Sequence, residues 1–256
     1  MNRSARLIAL LALALAARPA AAHHALEYIE VESYSTSRQG EYLFHLHYDL
    51  MAEDKNDPTQ DHWELTPGIA YGITDRLMFD AHVHYASFEN GLLVEDRQAE
   101  FEPNGPSPFL EAAAFTLQYR LTQGWPVEIA VAGTYELPMD RAEELLGSEE
   151  VYEGTLILAR SFGTHGNVTL NLTAGTEGDE DFQEFGLGVR NALTDDPHGV
   201  AAGLEVFGDF DDLEDSWSVL PGIYFPLSEQ TLVKTGLELG KDQDYTRANV
   251  TLMHRF

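Results

Sequence analysis

From residue 41 to the end of the chain the hydrophobic positions recur every second residue. That is the period of a strand, whereas a helix repeats every three to four residues. Tyr42, Phe44, Leu46, Tyr48 and Leu50 alternate with Glu41, Leu43, His45, His47 and Asp49. Leu77, Phe79, Ala81, Val83 and Tyr85 alternate with Met78, Asp80, His82 and His84, and Trp125, Val127, Ile129, Val131 and Tyr135 with Glu128, Ala130, Ala132, Thr134 and Glu136. The pattern predicts strands over 41–51, 61–73, 76–88, 109–121, 125–136, 151–161, 167–176, 182–191, 199–210, 215–226, 230–240 and 245–256. Such lengths suit the ~9–11 residues that cross a bilayer at a tilt.

A soluble sandwich also alternates, so the content of each face decides. The polar face here is rich in Gly, Ala, Thr and charge, and aromatics recur near strand ends (Tyr42, Trp63, Tyr85, Tyr119, Trp125, Tyr135, Trp217). This is the inside-out arrangement of a membrane barrel with interfacial girdles. Connections alternate between short turns, such as 74–76 and 122–124, and longer acidic stretches, such as 89–108 and 137–150. The expected fold is all-β, a transmembrane antiparallel up-and-down barrel of about 12 strands over 41–256. Residues 23–40 are the odd segment: Leu26 to Ser35 is strand-like and 37–40 resembles a turn. Because single-chain bacterial barrels keep an even strand count, 23–40 is expected to be a periplasmic arm or an inward plug.

The two ends agree with this reading. Arg3 and Arg6, an apolar run from Leu7 to Ala17 too short to span a bilayer, and Ala20-Ala21-Ala22 predict a signal peptide over 1–22, cleaved after Ala22. The last strand stops on Phe256, resembling the terminal strands that the barrel assembly machinery reads, although His254 stands where an aromatic or aliphatic residue is usual. The expected location is the bacterial outer membrane, among lipid and lipopolysaccharide.

Charge and composition narrow the chemistry. There is no cysteine, so no disulfide framework, thiolate site or thiol catalysis. The first 22 residues hold three arginines and no acid, leaving 12 basic against 43 acidic side chains, formally −31. That sign excludes nucleic acid as a partner. Acidic runs at Glu53-Asp54, Glu143 to Glu150, Glu177 to Asp181 and Asp209 to Asp215 read as solvated loops, or as a mouth that gathers cations or bridges divalent ions to lipopolysaccharide.

Two hairpins carry a family resemblance. Thr66-Pro-Gly-Ile-Ala-Tyr-Gly-Ile-Thr-Asp-Arg-Leu77 and Leu220-Pro-Gly-Ile-Tyr-Phe-Pro-Leu-Ser228 resemble recurring hairpins of the meta-pathway phenol-degradation transporter-like outer-membrane proteins. The resemblance implies passage of small, often hydrophobic molecules. Its motifs are turn chemistry, and the histidines described next are not part of it.

His45-Leu-His47 and His82-Val-His84 each place two imidazoles on one strand face, the lumenal one. If Ile73 opposes Leu77 and Leu50 opposes Trp63, two rows form: His45–Gly68–His82 and His47–Thr66–His84. The outer strands would stand about 9.6 Å apart, twice the usual spacing, and imidazoles leaning over Gly68 would meet. With Asp80 and His62 nearby the set suits zinc or copper better than calcium or magnesium. The same histidines also read as polar lumen filling or as a pH-responsive constriction. His23-His24 would supply a weaker copper chelator at a new N-terminus.

Further lumen or constriction candidates are Glu41, Asp49, Glu64, Arg120, Glu128, Arg190, Glu205, Lys234, Glu238 and Arg247. Mixed signs on facing strands either fill a narrow barrel as ion pairs or line a path. No nucleophile elbow and no serine beside a histidine in a recognisable motif is visible, so no enzyme is expected. The function expected is a porin-like passive transporter of small solutes that favours cations. A metal-handling barrel and a structural or lipid-modifying barrel are the alternatives.

Overall fold

The computed structural model describes residues 28–52, 61–88, 108–139, 148–163, 165–194, 199–210, 216–241 and 246–256. Twelve strands run in order: β1 (Tyr42–Ala52), β2 (His62–Gly72), β3 (Leu77–Phe88), β4 (Phe109–Arg120), β5 (Glu128–Pro138), β6 (Val151–Phe162), β7 (Gly166–Glu177), β8 (Glu180–Ala192), β9 (Ala201–Asp209), β10 (Trp217–Pro226), β11 (Thr231–Gly240) and β12 (Thr246–Arg255). Each pairs antiparallel with its sequence neighbours, and β1 pairs with β12 from Leu43↔Arg255 to Ala52↔Thr246, closing the barrel. Closure leaves no unpaired sheet edge, the condition for a sheet in hydrocarbon.

Alternation sends large apolar side chains outward: Tyr42, Ile69, Phe79, Phe115, Leu156, Leu204, Ile223 and Val250 are all exposed on the barrel wall. Aromatic pairs Tyr42–Tyr71 (4.8 Å) and Tyr135–Tyr152 (4.8 Å) stand toward opposite ends of the barrel. His254 takes one of the outward positions on β12, with Nδ1 2.9 Å from Thr231 Oγ1 and its ring edge-on to Phe256 at 4.6 Å. A polar ring is thereby accommodated in a terminal strand of the expected kind.

The expected register holds at the first hairpin. Ile73 N donates to Leu77 O (2.9 Å), His45 opposes Gly68, His47 opposes Thr66, and Gly68 opposes His82. One strand differs: β5 begins at Glu128, not near 125. Pro126 has no N–H to give the ladder, and Gly124 turns in the left-handed region (φ 71°), so Trp125 remains in the turn, largely exposed.

Residues 28–37 run inside the barrel, and 38–40 stand exposed at its end. From Gly40 (φ 81°) the chain leaves the terminal end, where Gly40 N bonds Gly72 O (2.8 Å) and Gln39 N bonds Asp75 Oδ1 (3.0 Å). Gln118 on β4 donates to the carbonyls of Ser33 (2.8 Å) and Ser35 (3.3 Å). The chain then crosses to β7–β12, where Tyr28, Ile29 and Val31 are almost fully buried. Residues 1–27, including the expected signal peptide and His23-His24, lie outside the described residues, as do the acidic runs at 53–54, 143–147 and 211–215 and most of 89–108.

Candidate functional site in the barrel lumen

Crossing residues 28–32 meet a site built from inward positions of six strands, β7 to β12. Glu205 on β9 is fully buried, and its two carboxylate oxygens accept from Ile29 N (2.6 Å), Glu30 N (2.9 Å), Val31 N (2.7 Å) and Tyr224 OH (2.9 Å). Three consecutive N–H groups converging on one carboxylate form an anion-binding nest, and charge makes each bond stronger than a neutral one. Lys234 Nζ donates to the Tyr28 carbonyl, Tyr28 OH donates to Asn167 Oδ1 (2.6 Å), and the Arg190 guanidinium lies over the Tyr224 ring at 4.4 Å. With its amide suitably oriented, Asn171 pairs with both backbone groups of Glu32.

Glycines make room for this segment. A Cβ at Gly188 would come within 2.5 Å of the Tyr28 ring, and one at Gly222 or Gly236 within 2.4 or 2.8 Å of Ile29 Cδ1. Ile29 packs with Ala201, Leu220 and Tyr224. Burying such an apolar side chain contributes roughly 1.5–3 kcal/mol. Leu220 and Tyr224 point inward against the polar-in rule because the arm, not water, is their neighbour.

Glu30 sits among charges: Asn249 Nδ2 donates to it (2.5 Å), Arg247 is 3.5 Å away, and Arg247 also pairs with Asp49 (2.9 Å) and Glu238 (3.9 Å). Burial pushes the Glu30 carboxyl up to about 7, against the pull of Arg247. The Glu32 carboxyl is also pushed up to about 7, by burial first and then by Glu153 and Asp80. Beyond these residues opens a cavity of about 710 Å³, whose lining includes the acids Glu30, Glu32, Glu153, Glu184, Asp209 and Glu238 and the bases Lys241 and Arg247.

The histidine rows behave differently from one another. In the first, His45 crosses above Gly68, its Nε2 2.8 Å from Asp80 Oδ2, while His82 Nδ1 is 2.7 Å from Asp80 Oδ1 and the two rings are 5.9 Å apart. In the second, Thr66 has a side chain where Gly68 has none, and the row divides. His84 Nδ1 is 3.4 Å from Thr66 Oγ1, and His47 Nδ1 turns to Thr251 Oγ1 (3.0 Å) on β12. His62 pairs with Glu64 at 3.5 Å, apart from the trio.

Of the other sequence candidates, Asp49, Arg190, Glu205, Lys234, Glu238 and Arg247 gather around the arm. Glu41, Arg120 and Glu128 instead hold the terminal end: Glu41 accepts from Arg38 N (3.0 Å), Arg120 donates to Asp75 O (2.9 Å), and Glu128 accepts from Gly124 N (2.5 Å). Sequence reasoning missed Gln118, Asn167, Tyr224 and Asn249 as receivers of the arm. Inward glycines at 186, 188, 222 and 236 were the available signal.

The chain matches no protein-family model and no curated protein. In fold it is similar to the KdgM porin in complex with disordered oligogalacturonate (7% identity, covering 84% of this chain and 99% of that chain, TM-score 0.58). It is likewise similar to the COG4313 outer membrane channel from Pseudomonas putida F1 (12% identity, 90% and 100% covered, TM-score 0.57). The expectation of no enzyme is corrected to this extent: solved structures of looser likeness include an enzyme, outer membrane phospholipase A from Escherichia coli (11% identity, 83% and 92% covered, TM-score 0.46). Catalytic groups in a barrel come together by geometry across strands and need no local serine motif. No activity of this chain follows from that likeness.

Proposed function

We propose that this protein is an outer-membrane, porin-like channel for small solutes, with residues 28–40 as its plug. The observation that carries the reading is the closed barrel itself, apolar outside and lined inside by charge and hydrogen-bonding groups. Fold likeness to a porin and to an outer-membrane channel supports it. The acid-rich cavity against the arm favours cations, since four acids (Glu153, Glu184, Asp209 and Glu238) face two bases there even with Glu30 and Glu32 protonated. The two hairpins that resemble meta-pathway phenol-degradation transporter-like proteins make that family the narrower proposal, with small hydrophobic molecules as its cargo.

Planar-bilayer recording in a salt gradient tests this. The expected result is low or flickering conductance, with a reversal potential of cation-selective sign. Silence from both the intact chain and a chain lacking 23–40 would refute a channel, and an anion-selective reversal would refute the charge argument alone.

A further inference from the structure

The first histidine row brings together three donors that solute passage does not require. One donor atom each from His45, Asp80 and His82 lies within 4.8 Å of the others. Tetrahedral zinc with bonds of about 2.0–2.1 Å holds its donors about 3.3 Å apart, so small side-chain rotations suffice to close the set. The backbone supplies the convergence. β1 and β3 flank β2, and the missing Cβ at Gly68, which would stand 2.3 Å from His45 Cε1 and 2.7 Å from His82 Cβ, lets the imidazoles lean together.

Two further observations point toward a cation. His45 is buried, its Nδ1 has no hydrogen-bond partner among the described residues, and Asp80 is what its Nε2 meets. On the arm, Glu32 Oε2 is buried with no hydrogen-bond partner among the described residues, and its carboxyl lies in the field of Asp80 and Glu153. A divalent ion at the trio would take the place of the two imidazole–carboxylate hydrogen bonds, each imidazole carrying its N–H on the ring nitrogen away from the ion, and its charge would relieve this concentration of acid.

We infer that His45, Asp80 and His82 form a lumenal binding site for a divalent transition-metal ion of the zinc and copper class. Two imidazoles and a carboxylate select such ions over calcium or magnesium, and three protein ligands leave a fourth position for water or a passing solute. The neighbouring pair His62–Glu64, and His47 held by Thr251, stand outside the site.

Equilibrium dialysis of the tag-free, detergent-folded protein against Zn²⁺ tests the inference independently of conductance. One ion per barrel is expected, with affinity at least tenfold weaker in His45→Ala/His82→Ala and in Asp80→Asn, and unchanged in His62→Ala. Each variant is first shown to be folded by its heat-modifiable migration in gels. Co²⁺ bound to the unaltered protein should give visible absorption of a four- or five-coordinate, nitrogen-containing site, which needs no variant. Absence of stoichiometric Zn²⁺ binding, a Co²⁺ spectrum of the hydrated ion, or undiminished binding by folded His45→Ala/His82→Ala would overturn the site. So would binding lost only on replacing His23 and His24, which would assign the ion to the N-terminus.

Discussion

The two walls of the lumen satisfy their polar groups in different ways. On the wall from β7 to β12, Glu205, Lys234, Asn167 and Asn249 are answered by the chain's own segment 28–30, and Arg247 by Asp49, Glu238 and Glu30. On the wall from β1 to β3, acids meet imidazoles: Asp80 stands between His45 and His82, and Glu64 beside His62. A carboxylate surrounded by N–H donors is complete. A carboxylate held between two imidazoles offers a ligand set. The contrast teaches that one wall is shaped to receive the arm and the other is suited to an ion from outside the chain.

The largest test of this difference is removal of residues 23–40. Single-channel conductance should rise several-fold, since the arm's docking wall then lines open lumen, while Zn²⁺ binding to the β1–β3 wall should persist. Loss of both would show that the walls are not independent. Next comes Glu205→Gln, which keeps one acceptor but removes the charge. Charge-assisted bonds contribute roughly 1.5–3 kcal/mol each, so a net loss of about 2–3 kcal/mol in docking should increase the open arm on the order of 30- to 150-fold. Limited proteolysis of the arm reads this directly, and an unchanged cleavage rate would discount the nest.

Paired glycine variants give a smaller effect. Gly68→Ala forces a Cβ against His45 ring atoms and against His82 Cβ, which is fixed to the backbone of β3. Overpacking of this kind costs about 1–3 kcal/mol, and the thermal midpoint and Zn²⁺ affinity should fall together. Gly222→Ala clashes with the far end of the Ile29 side chain, which can rotate away, and meets the Thr235 carbonyl oxygen at an ordinary 3.4 Å. Its midpoint should change less, with the loss confined to arm docking.

The same contrast explains what the sequence made legible. Strand number, register and the His45–Gly68–His82 row follow from a period of two and a tight turn, because slipping one residue would turn every apolar side chain into the lumen. The division of the second row was not legible, since it depends on the Thr66 side chain competing for the space over which His47 and His84 would have met. Nor was the arm's path. Tyr28-Ile29-Glu30-Val31 alternates like a strand, but its partners are Glu205, Asn167 and Lys234, at sequence separations of 139 to 206. Inward Leu220 and Tyr224 make sense only once Ile29 is packed on them.

The smallest expected effect concerns pH, where the two walls should respond with opposite signs. Glu30 and Glu32 have carboxyls pushed up to about 7 in the docked arm from an ordinary value of 4.5, burial being the largest cause for each. Docking thus favours their protonated forms. Their contribution is fully present below about 4.5, declines as pH rises toward 7, and becomes the full cost of burying charge above it. The groups facing them set the balance: Arg247 opposes the shift at Glu30, while Asp49, Glu205 and Glu238 reinforce it, and at Glu32 Glu153 and Asp80 reinforce it. Conductance measured with a chelator present should therefore rise modestly from pH 5 to pH 8 as the arm loosens, and Glu32→Gln should flatten much of the rise. Metal binding by imidazoles runs the other way, because protons compete for the ligand nitrogens as pH falls. A conductance profile that stayed flat, or fell, across that range would break the assignment of the arm as a pH-weakened plug while leaving the metal site to stand on its own measurement.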